Sequence, residues 1–198
     1  TLGSRPFPCG LSSPSSALVE LPPLSAMFVA STTSTRKSVP DDQNDNAQFP
    51  EEMSVFLSGK VAPRMGTFIQ VTYTQQDDKF GMDNADVRIA GATDAGGLPV
   101  QFGLTLNNAP TVEDLWNSTP AWGFPWMSPD VAPTPVAAPL LDGGLAQDVA
   151  GIGGYAMFDS TVYAAATMYR SAHLGSGAPT VGSENTIEIA APYWRVAW

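Results

Sequence analysis

From Leu24 onward the chain alternates apolar and polar side chains one residue at a time, interrupted by polar connections. In "EMSVFLSGKVA", Met53, Val55 and Leu57 share one face, while Ser54, Ser58 and Lys60 share the other with Phe56. "GTFIQVTYTQ" sets Ile69, Val71 and Tyr73 against Gln70, Thr72 and Thr74, and "NADVRIAG" sets Ala85, Val87 and Ile89 against Asn84, Asp86 and Arg88. "PVQFGLTLN" repeats the pattern, with Val100, Phe102, Leu104 and Leu106 opposite Gln101, Gly103, Thr105 and Asn107. A two-residue period belongs to a β-strand, whose successive side chains point to opposite faces. "LSAMFVASTTST" precedes these segments, and "DVAGIGGYAMFD", "TVYAAATMYRSA" and "NTIEIAAPYWRVAW" follow them. The pattern thus predicts an all-β fold of about eight strands. In the last segment Ile187 and Ile189 oppose Glu188, and past Pro192 the apolar set shifts by one, which predicts a bulge at the proline.

The connections are sorted by length. A long acidic link, "SVPDDQNDNAQFPE", is followed by the tight "APRMG", the polar "QDDKFGMD", the short "ATDAGGL", a long Trp/Pro stretch, the tight "DST" and "HLGSGAPTVGSE". An antiparallel meander with tight turns at one end and long loops at the other is the plan of an outer-membrane β-barrel. Strand period alone fits a secreted β-sandwich binding module equally well, and that alternative stays open. Polar residues inside strands favour the barrel: Lys60, Gln70, Asp86, Arg88, Gln101 and Glu188 are the candidate lumen-facing positions. Phe80, Phe158, Tyr163, Tyr169, Tyr193 and Trp194, near strand ends, are candidates for interface girdles. Residues 1–23 read as a Pro/Ser-rich linker, and residues 24–198 as barrel strands with a long loop at 108–146.

Composition narrows this further. Charged residues are 14% of the chain, against roughly 25% in ordinary soluble domains, yet the mean hydropathy is only -0.02. Residue-by-residue alternation reconciles the two. No apolar run approaches the roughly 18 residues of a membrane helix, so a membrane location, with outer-membrane lipid as partner and an oligomer possible, requires a barrel. A net charge of -10 argues against nucleic acid, which needs clustered Lys and Arg. The single cysteine, Cys9, rules out an internal disulfide. With His173 as the one histidine, no Ser/His/Asp or paired-carboxylate constellation is recognisable, and no enzyme is expected. "DDQNDNA" (Asp41 to Ala47) starts like a calcium loop but lacks its turn glycine and closing glutamate, so it reads as an acidic surface loop and no metal is expected.

"APRMGTFIQVTYT", "MDNADVRIA", "FGLTLNNAPTVEDLWNSTPAWGFPW" and "LDGGLAQDVAGIGGYAMF" resemble a family of bacterial outer-membrane proteins, the fused cytochrome c–porins. The resemblance runs from Met53 to the C-terminus and is most specific over Asn107 to Trp126. It implies a porin-like barrel in the bacterial outer membrane, housing a pore or an electron conduit. A c-type haem needs C-x-x-C-H, and Cys9 and His173 form no such motif. This chain therefore carries no cofactor of its own, and haem c would come from an upstream segment or from a c-type cytochrome partner.

The Trp/Pro stretch from Asn108 to Leu140 shows no helix or strand period. Prolines stiffen it and tryptophans supply packing area, and "TVEDLW" fits a short helical turn with Thr111 as cap. We expect this loop to constrict the lumen through Asn107, Asn108, Glu113, Asp114, Trp116, Trp122 and Trp126, its carboxylates favouring cations; an outer lid is the other reading. A closed barrel of about eight strands has no room for such a loop. A loop inside therefore implies that this chain is part of a wider barrel, as the resemblance also implies. The terminal aromatic Trp198 would instead suit a complete small barrel.

Overall fold

A computed structural model describes residues 23–38, 40–41, 45–75, 77–116, 149–172 and 186–198. Eight strands follow one another: β1 (Leu24–Thr33), β2 (Asn46–Ala62), β3 (Met65–Thr74), β4 (Lys79–Asp94), β5 (Pro99–Asn107), β6 (Val149–Phe158), β7 (Val162–Ser171) and β8 (Ala191–Ala197). They form one antiparallel sheet in the order β1 to β8, each strand paired with its chain neighbours. The predicted all-β meander is therefore present. Among the described residues the sheet is open, with β1 and β8 as its edges. A single 3₁₀ turn, η1 (Pro110–Glu113), follows β5.

The turns explain why the hairpins close where they do. Gly96 and Gly97 both have positive φ between β4 and β5, where Ala95 and Leu98 exchange backbone hydrogen bonds. Asp159 and Ser160 also have positive φ, with Thr161 N–H donating to the Phe158 carbonyl at 2.9 Å. Two successive positive φ values define the type I′ turn, whose twist matches that of the flanking strands.

Two boundaries differ from the sequence reading. β4 starts at Lys79, so the third connection shrinks to residues 75–78 and matches the fourth in length. Apart from that link, tight turns (Pro63–Arg64, 95–98, 159–161) still lie at one end and the long connections (34–45, 108–148, 172–190) at the other. β8 starts only at Ala191, so Glu188 lies in the bend before it, off the lumen-facing register expected for it. The β7–β8 ladder runs unshifted through Pro192, without the expected bulge. The physical reason is position: proline, lacking an N–H, is tolerated at the start of an edge strand. Register shifts occur instead at Val29/Ser31, Lys60/Ala62 and Gln70/Val71.

Burial is inverted relative to an ordinary sheet. On one face Ser54, Gln70, Thr72, Asn84, Asp86, Thr105, Asn107 and Thr167 are buried. On the other, Ile89, Phe102, Leu104, Leu106, Ile152, Met168, Trp194 and Val196 are exposed. Leu104 is 59% exposed and Leu106 57%, while Thr105 between them is 3% exposed. The polar face is shaped by glycine. A Cβ on Gly151 would collide with the Tyr169 ring, one on Gly153 with Thr167, and one on Gly103 would lie 2.6 Å from the Tyr155 hydroxyl. Each glycine faces its obstacle directly across the ladder: Gly151 pairs with Tyr169, Gly153 with Thr167 and Gly103 with Tyr155. This corrects one expectation. Tyr163 and Tyr169 are buried on the polar face, and Tyr193 shares it, so none of the three can belong to an outer girdle. Phe80 and Trp194 are well exposed on the other face, with Phe158 at its edge.

Gly151→Ala should destabilise the fold by about 1–3 kcal/mol, the cost of overpacking, whereas Gly81→Ala, with open space around it, should cost far less. Chemical denaturation of the two variants measures the difference, and equal effects would show that the glycine cradle under Tyr169 is not needed.

Candidate functional site

The buried polar side chains form one connected region across β4 to β8. Alternation on β4 places Asp86 and Arg88 on the polar face, two residues apart. The Arg88 Nε donates to Asp86 Oδ2 at 2.6 Å, and Thr105 of β5 donates to the other carboxylate oxygen at 2.7 Å. The Arg88 guanidinium also lies over the Tyr155 ring, 5.2 Å from its centroid. A second ladder crosses β2 to β4, where the Ser54 and Thr72 hydroxyls are 2.7 Å apart and Asn84 donates to Gln70 at 2.8 Å. Thr72 also hydrogen-bonds Asp83, the extra residue at the Gln70/Val71 register shift.

The chain leaving β5 folds back onto this face. Asn108 fixes the departure: its side-chain oxygen accepts the Ala85 N–H at 2.7 Å, and its amide donates to the Asp83 carbonyl at 3.2 Å. The side chain thus substitutes for a peptide group where the ladder ends. Pro110 opens η1, which suits the missing N–H of a first helical position. Ala109 occupies the cap, with no side-chain cap bond, while Thr111 is buried inside the turn rather than capping it.

η1 places Glu113 at the centre of the site, fully buried at 0% exposure. One carboxylate oxygen, Oε1, accepts from Asn107 Nδ2 (3.1 Å) and Thr167 Oγ1 (2.6 Å), and shares the Tyr169 hydroxyl proton (2.8 Å) with Asn107 Oδ1 (2.7 Å). Arg88 donates to the Val112 carbonyl at 2.6 Å. Asp114 forms an ion pair with Arg195 of β8 at 2.8 Å, its side chain 1% exposed and that of Arg195 19%. Trp116, half exposed, packs edge-on against Tyr163 with ring centroids 6.0 Å apart. Charge-assisted hydrogen bonds of this kind are about twice as strong as neutral ones. The segment from Asn107 to Trp116 is therefore strapped across β4, β5, β7 and β8.

Of the residues singled out from sequence, Asn107, Asn108, Glu113, Asp114 and Trp116 come together here with Asp86 and Arg88. Gln70 belongs to the neighbouring ladder. Gln101 and Lys60 are exposed on their strands, away from this cluster. Trp122, Trp126, Cys9 and His173 lie outside the described residues. Glu113 and Asp114 face the sheet instead of projecting free carboxylates, so they hold the segment to the wall. Sequence reasoning missed Thr105, Thr167, Tyr169 and Arg195. The signal for the middle two was the parity of Tyr163, Ala165, Thr167 and Tyr169, which carries them to one face.

No family model, curated protein or solved structure matches this chain.

A double-mutant cycle on Asp114→Asn and Arg195→Gln should give a coupling energy on the order of 1–3 kcal/mol, because each single change leaves a buried partner unmatched. Denaturant unfolding of the four proteins measures it; additive effects would mean that the ion pair does not hold the segment.

Proposed function

We propose that this chain forms part of a porin-like β-barrel of the bacterial outer membrane, its polar face lining the lumen and its apolar face meeting lipid. The observation that carries this reading is the inverted burial, with Leu104 and Leu106 outward and Thr105 and Asn107 inward. A soluble sandwich would instead seal its apolar face against a second sheet. Strand length adds support: β5, β6 and β7 have 9, 10 and 10 residues, within the roughly 9–11 needed to cross a bilayer. An open sheet edge does not persist in hydrocarbon, so in this reading further strands close the barrel between β8 and β1. The segment from Asn108 to Trp116 then lies within the lumen and narrows it. Conduction of electrons would require haem from an upstream segment or a c-type cytochrome partner.

The full-length protein should fractionate with outer membranes, require detergent for extraction and open ion channels in planar bilayers. Asp114→Asn should raise the single-channel conductance by releasing the strap. Leu104→Arg should cost about 2–4 kcal/mol on folding into lipid vesicles, while Gln101→Arg, three residues away on the opposite face, should cost much less. A folded monomer recovered without detergent, or equal penalties for the two arginines, would defeat the barrel reading.

A further inference from the structure

Glu113 is half satisfied. Its Oε1 takes three hydrogen bonds, while Oε2, equally buried, has no partner among the described residues. As a carboxylate, Glu113 therefore leaves Oε2 an uncompensated acceptor. Charge points the same way. Among the described residues the connected cluster holds the carboxylates of Asp86, Glu113 and Asp114 and two guanidiniums, Arg88 and Arg195, which form ion pairs with Asp86 and Asp114. Glu113 is the unmatched charge, and a buried charge without a partner is costly. Two further buried hydroxyls lack partners among the described residues, that of Thr111 in the same turn and that of Tyr163, whose ring packs against Trp116.

We propose that Glu113 Oε2 binds a small monovalent cation of the sodium or potassium kind, with the Thr111 and Tyr163 hydroxyls as its neutral oxygen ligands. One surplus carboxylate matches one positive charge. A divalent ion would demand more, and no group of three or more His, Cys, Asp or Glu forms a metal cluster among the described residues. The cation neutralises the centre of the strap, so its binding stabilises the docked segment over the released one. The site rests on the docked strap and not on the membrane reading, so a protein that proved soluble would still show it.

The test is thermal unfolding of the full-length protein in detergent, in sodium, potassium or choline chloride at equal ionic strength. Sodium or potassium should raise the Tm in a saturable way over choline, which is too large to enter. Glu113→Gln should abolish that dependence, and Thr111→Val and Tyr163→Phe, which leave the Oε1 bonds intact, should each raise the half-saturating concentration about tenfold or more. Identical melting in the three salts would mean that water alone fills the position and would overturn the proposal. So would a cation effect that survives Glu113→Gln. If Glu113→Gln does not fold, unchanged half-saturation in both hydroxyl variants overturns it as well.

Discussion

A sheet that buries Asp86, Arg88, Asn107, Thr105 and Thr167 on one face must satisfy those groups sideways or from above, because unpaired polar groups away from water are expensive. The wall manages only part of this itself. Thr105 and Arg88 serve Asp86, and Tyr169 reaches Asn107, but Thr167, Arg195, the far end of Arg88 and again Tyr169 find partners on the segment that follows β5. Wall and strap are consequently one hydrogen-bonded object. Neither is properly satisfied without the other, and the carboxylates of Glu113 and Asp114 are the members through which they join.

The strands β2 to β5 were legible because their polarity alternates with the period of the pleat, and every face assignment made for Val55, Gln70, Asp86 and Leu104 holds in the structure. β6 and β7 were harder, for a physical reason. Their inner face is specified by size more than by polarity, with Gly151 and Gly153 opposite Tyr169 and Thr167, and hydropathy does not register that distinction. Ile187 and Ile189 alternate with polar neighbours just ahead of β8, yet the chain there hydrogen-bonds Ser171 of β7 and then bends before the strand begins. The site itself was half visible. Glu113 and Asp114 stood out in their loop, but the groups that hold Glu113 lie 54 and 56 residues further on, and Arg195 lies 81 residues from Asp114. No local spacing encodes such partners; they become readable only once the meander fixes which strand is next to which.

The strap also bears on curvature. It starts at the end of β5, takes Arg88 from β4 on one side and Thr167 and Tyr169 from β7, then Arg195 from β8, on the other. Groups on strands several places apart in the sheet can reach one short segment only if the sheet curls around it. The glycines permit that curl. With no Cβ at Gly103, Gly151 and Gly153, the backbones of β5 and β6 can bend toward the polar face while Tyr155 and Tyr169 fill the space above them, as glycine kinks do in closed barrels. The Asp114–Arg195 ion pair then ties the far end of the strap to β8, four strands along the sheet from Arg88 on β4.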